Sequence, residues 1–148
     1  MTEKEKMLNG ELYMPDNDET LFNERIKCKT LCYKYNNLSP DKLEERKELI
    51  KQIIGKVSDK FHIEQPFYCD YGYNIELGEN FYCNHNIVIL DCAKVTFGDN
   101  VFIGSGARVI GGVIVGNNVT IAPNAVVSHD VEDNVVVGGI PAKIIRRK

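Results

Sequence analysis

The stretch Phe97 to Val131, FGDNVFIGSGARVIGGVIVGNNVTIAPNAVVSHDV, repeats every six residues. Positions six apart from Phe97 are Phe97, Ile103, Val109, Val115, Ile121 and Val127, and all are apolar. Four residues after each stand Val101, Ala107, Val113, Val119, Ala125 and Val131, again apolar or small. The same frame runs upstream through Leu77, Cys83 and Ile89, with Phe81, Ile87 and Ala93 four later, and shifts by two residues around Lys94 to Thr96. A period of six fits neither the 3.6 of a helix nor the 2 of a hairpin strand. It is the mark of a solenoid, in which each repeat buries its apolar face on the next. Three sixes make one triangular coil, so the nine frames from Leu77 to Glu132 predict about three coils of stacked parallel strands with the lead residues pointing inward. The residue after each lead is often Gly, Asn or small: Gly78, Asn84, Gly98, Gly104, Gly116, Ala122. These are expected to turn the corners, where positive φ is cheapest for Gly and Asn. The β-helix is expected from about Asp70 to Ile140.

Working outward, the chain changes character between His62 and Pro66, and the expected division is 1–62 and 63–148. The first part is rich in Lys, Glu and Asn and reads as amphipathic helices. Thr2 with Glu5 resembles a capping box, and Gly10 ends a short helix over 3–9. A second helix runs from Glu19 to Asn36 with Phe22, Ile26, Leu31, Cys32 and Tyr35 on its apolar stripe. Ser39-Pro40-Asp41 is the expected start of a third, which buries Leu43, Leu49, Ile50, Ile53 and Ile54 before Gly55 stops it. The ending Lys143, Arg146, Arg147, Lys148 forms a basic tail.

Bulk properties bound the function. The 148 residues suit one ordinary domain, or a small domain with a helical appendage. A formal charge of -3 gives no reason to expect a nucleic-acid partner. No stretch has the core of a signal peptide or the roughly 20 apolar residues of a membrane span, so a cytoplasmic protein is expected. The five cysteines lack the paired spacing of a disulfide framework or zinc knuckle. Cys28 and Cys32, four apart on a helix, would suit two metal ligands, but no Cys or His pair accompanies them in the sequence; buried free thiols and no metal are expected.

The segments TEKEKMLNGELY (2–13), CDYGYNI (69–75), NFYCNHNIVILD (80–91) and NVVVGGIPAKII (134–145) resemble the maltose and galactoside O-acetyltransferases, which are left-handed parallel β-helix acyltransferases with an N-terminal helical cap. The resemblance covers nearly the whole chain. It implies transfer of an acetyl group from acetyl-CoA to a sugar hydroxyl, with a histidine as general base and an amide supporting the oxyanion. It also implies a homotrimer with sites between adjacent prisms. By the same resemblance, Asn84 is the transition-state amide, and Asp16, Asp70, Asp91 and Cys92 fall at or beside acceptor positions. Ser105, Pro123, Ser128, His129, Lys143 and Arg146 fall where the family contacts acetyl-CoA, the basic side chains suiting its phosphates.

One departure stands out. After DNVFIG (99–104) the family continues into a coil and loop that carry the catalytic histidine, whereas Gly104 here runs straight into Ser105-Gly106-Ala107. The six-residue frame passes through 97–127 without a slip, so a whole coil is missing and stacking can continue. Three histidines remain. His85 is the candidate substitute base, with a surface or subunit-contact role as the plainer reading; His62 reads as structural and His129 as a coenzyme contact. Ser105 has no His or carboxylate near it in sequence to make it a nucleophile. Two other classes stay open: a catalytically silent trimer that binds CoA or serves as scaffold, and another hexapeptide enzyme of the serine-acetyltransferase type. A γ-class carbonic anhydrase would need three convergent histidines.

Overall fold

The structure is a computed structural model describing residues 1–148. Thr2 caps helix α1 (Glu3–Leu8): its hydroxyl accepts from the Glu5 N–H at 3.0 Å and the Glu5 carboxylate accepts from the Thr2 N–H at 2.6 Å. Asp18 caps α2 (Glu19–Asn36), accepting from the Leu21 N–H at 3.0 Å. The buried stripe of α2 is Leu21, Cys28, Cys32 and Tyr35, and the expected Phe22 and Ile26 lie exposed. Residues 21, 28, 32 and 35 share one face at about 100° per residue, and Phe22 and Ile26 fall to its side. Helix α3 (Leu43–Ile53) starts later than expected, because Ser39-Pro40-Asp41 forms a separate turn and Lys42 caps without a side-chain bond. Leu43 is therefore exposed, while Ile50, Ile53 and Ile54 are buried. Buried Arg46 ties α3 to the first strand, donating to Pro40 O at 2.9 Å and Ile63 O at 3.1 Å. No helix is long and apolar enough to cross a membrane.

Thirteen short strands follow. One face of the prism stacks β1 (Phe61–Ile63), β4 (Phe81–Cys83), β7 (Phe102–Ile103), β10 (Thr120–Ile121) and β12 (Val135–Gly138), and β13 (Lys143–Arg147) adds antiparallel to β12. The second face stacks β2 (Phe67–Cys69), β5 (Ile87–Leu90), β8 (Arg108–Ile110) and β11 (Val126–Val127). The third stacks β3 (Ile75–Leu77), β6 (Val95–Phe97) and β9 (Ile114–Val115), with Val131 bridging to Val115. This is the three-sided parallel β-helix expected, and its lead residues Phe97, Ile103, Val109, Val115, Ile121 and Val127 are all buried. They belong to one core of 30 buried residues that also takes in Cys28, Cys32, Tyr35 and the isoleucines of α3.

Two expectations are corrected. The prism has about four coils, beginning at Phe61, because the first coil's long corner at Asp70–Asn74 hides the period of six. Positive φ occurs two residues after the expected corners, at Asn80, Asn86, Asn100, Gly106, Asn118 and Asn124. The glycines after the leads serve another need: the neighbouring coil passes directly over them. A Cβ on Gly78 would lie 2.3 Å from Gly98 O, and one on Gly104 would lie 2.6 Å from Pro123 N. Gly104→Ala should therefore destabilise the chain by about 2 kcal/mol by forcing the third and fourth coils apart, as read in urea unfolding. A change under about 0.5 kcal/mol would show that the coils separate freely.

Candidate active site

The corners stack into edges, and the expected site residues divide between two of them. The edge joining the first and second faces carries residues 64–66, 84–86, 104–106 and 122–124. The edge joining the second and third faces carries 70–74, 91–94, 111–113 and 128–130. Asn84, His85, Ser105 and Pro123 lie on the first; Asp70, Asp91, Cys92, Ser128 and His129 lie on the second.

On the first edge, Asn84 is held by both ends of its peptide unit and side chain. Its N–H donates to Ile103 O at 2.9 Å, and its side-chain oxygen accepts from the His85 N–H at 2.8 Å. The side-chain NH2 has no partner in this chain, which leaves a donor unspent. His85 Nδ1 lies 2.7 Å from Gln65 O. A carbonyl only accepts, so Nδ1 carries a hydrogen, and in the neutral imidazole Nε2 is the basic nitrogen. That Nε2 is 3.7 Å from Glu64 Oε2. The other oxygen of Glu64 pairs with His62, and this contact, first among its causes, holds the Glu64 carboxyl below the usual range. His62, Tyr82 and Phe102 stack down the same face, with ring centroids 5.5 and 4.7 Å apart. His85 opens onto a cleft of about 490 Å3 with Asn36, Asn37, Leu38, Gln65 and Tyr68. Ser105 is fixed through its carbonyl, which accepts from the Asn124 N–H at 2.9 Å, and no base approaches its hydroxyl.

The second edge is organised by Asp91. Its carboxylate is fully buried and accepts from the N–H groups of Asp70 at 3.0 Å, Tyr71 at 2.9 Å and Asn74 at 3.2 Å. Burial pushes its pKa up, and the backbone N–H groups pull against that. Asp91 therefore shapes the corner, and its oxygens are turned away from the surface where an acceptor would lie. Asp70 is half-buried and is pushed up by burial first and then by Asp91. Cys92 packs with Tyr13 against Met7, Leu21 and Tyr71. Burial raises Tyr13 to about 12, with Cys92, Tyr71 and Asp70 adding to it. Arg25 donates to Tyr71 Oη at 3.0 Å and to Asp16 Oδ1 at 3.3 Å, though the Asp16 side chain itself is exposed. The cap thus brings Asp16, Asp70 and Cys92 into one neighbourhood around Tyr13, Arg25 and Tyr71. Sequence reading singled out none of those last three, because the long 70–74 corner lies outside the repeat and the cap has no period to read.

The residues expected at the coenzyme do not converge within one chain. Ser128 Oγ is 3.0 Å from His129 Nδ1, and His129 shares a cleft of about 470 Å3 with Lys143. Asp130, Glu132 and Asp133 line the same cleft, so it is not a purely cationic pocket. Arg146 stands opposite Val136 on β13, Arg147 pairs with Glu132 at 2.8 Å, and Lys148 reaches Thr120 Oγ1 at 2.8 Å. The tail is thus a folded strand. With His62 on the first face within β1, His85 on the first edge and His129 on the second, the three histidines do not form a zinc triad.

At Gly104–Ser105, where the sequence lacks the histidine coil and loop, the sheet is continuous. Phe102 N–H donates to Val119 O at 3.0 Å and Gly104 N–H to Ile121 O at 2.8 Å, so the third coil rests directly on the fourth. Comparison with known proteins fits this. Residues 6–58 match the maltose acetyltransferase hexapeptide capping motif, and residues 94–129 match the bacterial transferase hexapeptide of six repeats. A putative acetyltransferase of Saccharomyces cerevisiae is 38% identical over 179 aligned residues, covering 97% of this chain and 91% of the yeast protein. Since the chain has 148 residues, at least 31 of those 179 positions hold no residue of it. The crystal structure of a maltose O-acetyltransferase from Clostridium difficile 630 superposes with a TM-score of 0.82 at 35% identity, covering 99% of this chain and 97% of that one. A galactoside acetyltransferase in complex with coenzyme A superposes at 0.83 with 32% identity, covering 99% and 91%. Capping motif, repeat, coil geometry and these likenesses agree: the chain belongs to the maltose and galactoside O-acetyltransferase family of hexapeptide-repeat acyltransferases.

Proposed function

We propose that this chain transfers an acetyl group from acetyl-CoA to a hydroxyl of a small sugar, as a homotrimer, and that it does so slowly. The observation that carries the proposal is the adjacent pair on the first edge: Asn84 with an unspent side-chain NH2 and His85 whose Nδ1 is held by Gln65 O while Nε2 makes no hydrogen bond within the chain. The proposed three-fold assembly sets the first edge of one subunit against the second edge of the next. That brings Asn84 and His85 up against Asp70, Cys92 and the cap residues Tyr13, Arg25 and Tyr71 of a neighbour, which a single chain keeps apart. Ser128, His129 and Lys143 are the proposed coenzyme contacts from the second edge and tail, with Ser105, Pro123 and Arg146 completing them.

His85 Nε2 takes the proton of the acceptor hydroxyl as its oxygen bonds to the thioester carbonyl carbon. Asn84 donates its NH2 to the oxyanion that forms. When the carbon–sulfur bond breaks, the His85 imidazolium returns the proton to the departing CoA sulfur, leaving the acetyl ester on the sugar. The slowness follows from the missing coil: no loop closes over His85, whose side chain is 60% exposed, so water competes and the low-dielectric benefit is lost.

The test is acetyl transfer to maltose, galactosides and glucose followed by thiol release, with CoA binding by calorimetry and mass by sedimentation. A CoA-binding trimer with slow turnover is expected, and His85→Ala should lower kcat by about 100-fold with little change in KM. CoA binding without turnover would establish a silent binding trimer instead. Unchanged kcat in His85→Ala would remove that residue from the reaction.

A further inference from the structure

Three of the five cysteines meet at one point between the cap and the prism. Cys28 and Cys32 lie one turn apart on the inner side of α2, and Cys69 ends β2 beneath them. All three Sγ atoms lie within 4.8 Å of one another, and Cys28 Sγ is 3.4 Å from Cys69 Sγ. All three are buried and none is in a disulfide. The surrounding core is filled with isoleucine, phenylalanine and tyrosine, so packing alone gives no reason for three small polarisable side chains to converge here.

We infer that Cys28, Cys32 and Cys69 form a binding site for one thiophilic d10 cation, zinc(II) or copper(I), clamping the helical cap to the first coil. Metal–sulfur bonds of about 2.3 Å place three ligating sulfurs roughly 3.8 Å from one another. With one pair at 3.4 Å and every pair within 4.8 Å, the observed cluster is compatible with that spacing. Thiolate sulfur selects these soft cations over magnesium or calcium. Binding would displace the thiol protons to solvent. An entry path exists, since a cleft of about 400 Å3 lined by Lys29, Tyr33, Asn36 and Tyr68 reaches Cys32 and Cys69. Copper(I) is satisfied by three sulfurs, whereas zinc takes a fourth ligand, for which the cleft leaves room.

The site is independent of acetyl transfer, and its test reads metal directly. The full-length protein, reduced under nitrogen, is titrated with cobalt(II) as a spectroscopic probe. Zinc(II) and copper(I) are then each titrated against a chromophoric chelator. One equivalent per chain is expected, with thiolate-to-cobalt charge-transfer bands of three-sulfur intensity that zinc abolishes. Cys28→Ser, Cys32→Ser and Cys69→Ser should each weaken binding on the order of 100-fold or more, since even losing a ligand's supporting partner costs 10- to 100-fold. Cys83→Ala, elsewhere in the core, should leave affinity unchanged. Absence of the charge-transfer bands together with no zinc(II) or copper(I) bound in the chelator titrations of the unmodified protein overturns the proposal without any variant having to fold. Full affinity retained in any of the three serine variants overturns it equally.

Discussion

Asn84→Ala is expected to lower kcat for acetyl transfer by about 100- to 1000-fold, the usual cost of losing one oxyanion donor. The KM for acetyl-CoA should barely move, because the oxyanion exists only in the transition state. Asn84 also holds the corner, since its side-chain oxygen accepts from the His85 N–H at 2.8 Å. Alanine removes both functions, so a second variant is needed. Asn84→Asp keeps an acceptor for that N–H while replacing the donor with negative charge. Steady-state thiol-release kinetics should show the same loss of kcat in both variants, with thermal midpoints staying closest to the parent in Asn84→Asp. Recovery of activity in Asn84→Asp would mean that the side chain only shapes the turn.

Asp91→Asn should cost about 3 kcal/mol of folding stability although it changes no volume. The buried carboxylate gathers N–H groups of Asp70, Tyr71 and Asn74, while the Asn74 side chain donates to Asp91 O at 2.8 Å. An amide cannot replace it, because its NH2 would point a donor at donors. Bonds to a charged acceptor contribute roughly 1.5–3 kcal/mol each, and an orphaned buried N–H adds its desolvation cost. Urea unfolding monitored by circular dichroism reads the change; a shift within about 0.5 kcal/mol of the parent would show that the corner stands without Asp91. Where Asp91→Asn still folds, the displaced corner carries Asp70 and Tyr71 with it, so acceptor KM should rise.

The repeat from Phe97 to Val131 made the prism readable, because an apolar lead and a second apolar or small residue four later, recurring every six, match the inward positions of a three-sided coil. It did not locate the turns. Gly78 and Gly104 are small because another coil lies against them, and a single sequence presents that contact as if it were a turn signal. The first coil was hidden by its five-residue corner at Asp70–Asn74, whose geometry depends on a carboxylate 17 to 21 residues later. On α2 the choice between Leu21 and Phe22 was not local either; the prism beneath decided it. The site residues were identified by resemblance and not by period. Their division between two edges follows from counting coils, but Tyr13 and Arg25 join them only through tertiary contact. The same holds for Cys69, separated from Cys28 by 41 residues.

Each coil advances the prism by one strand spacing, about 4.8 Å. With Phe102 and Gly104 seated directly on Val119 and Ile121, Lys143 and Arg146 stand one rung nearer the cap than in a chain that keeps the extra coil. A long flexible molecule gripped at the tail would therefore carry its far end past the point that a taller column sets for it. Axial height works as a ruler for reach, and shortening it displaces the reacting end even where every contact along the way is kept.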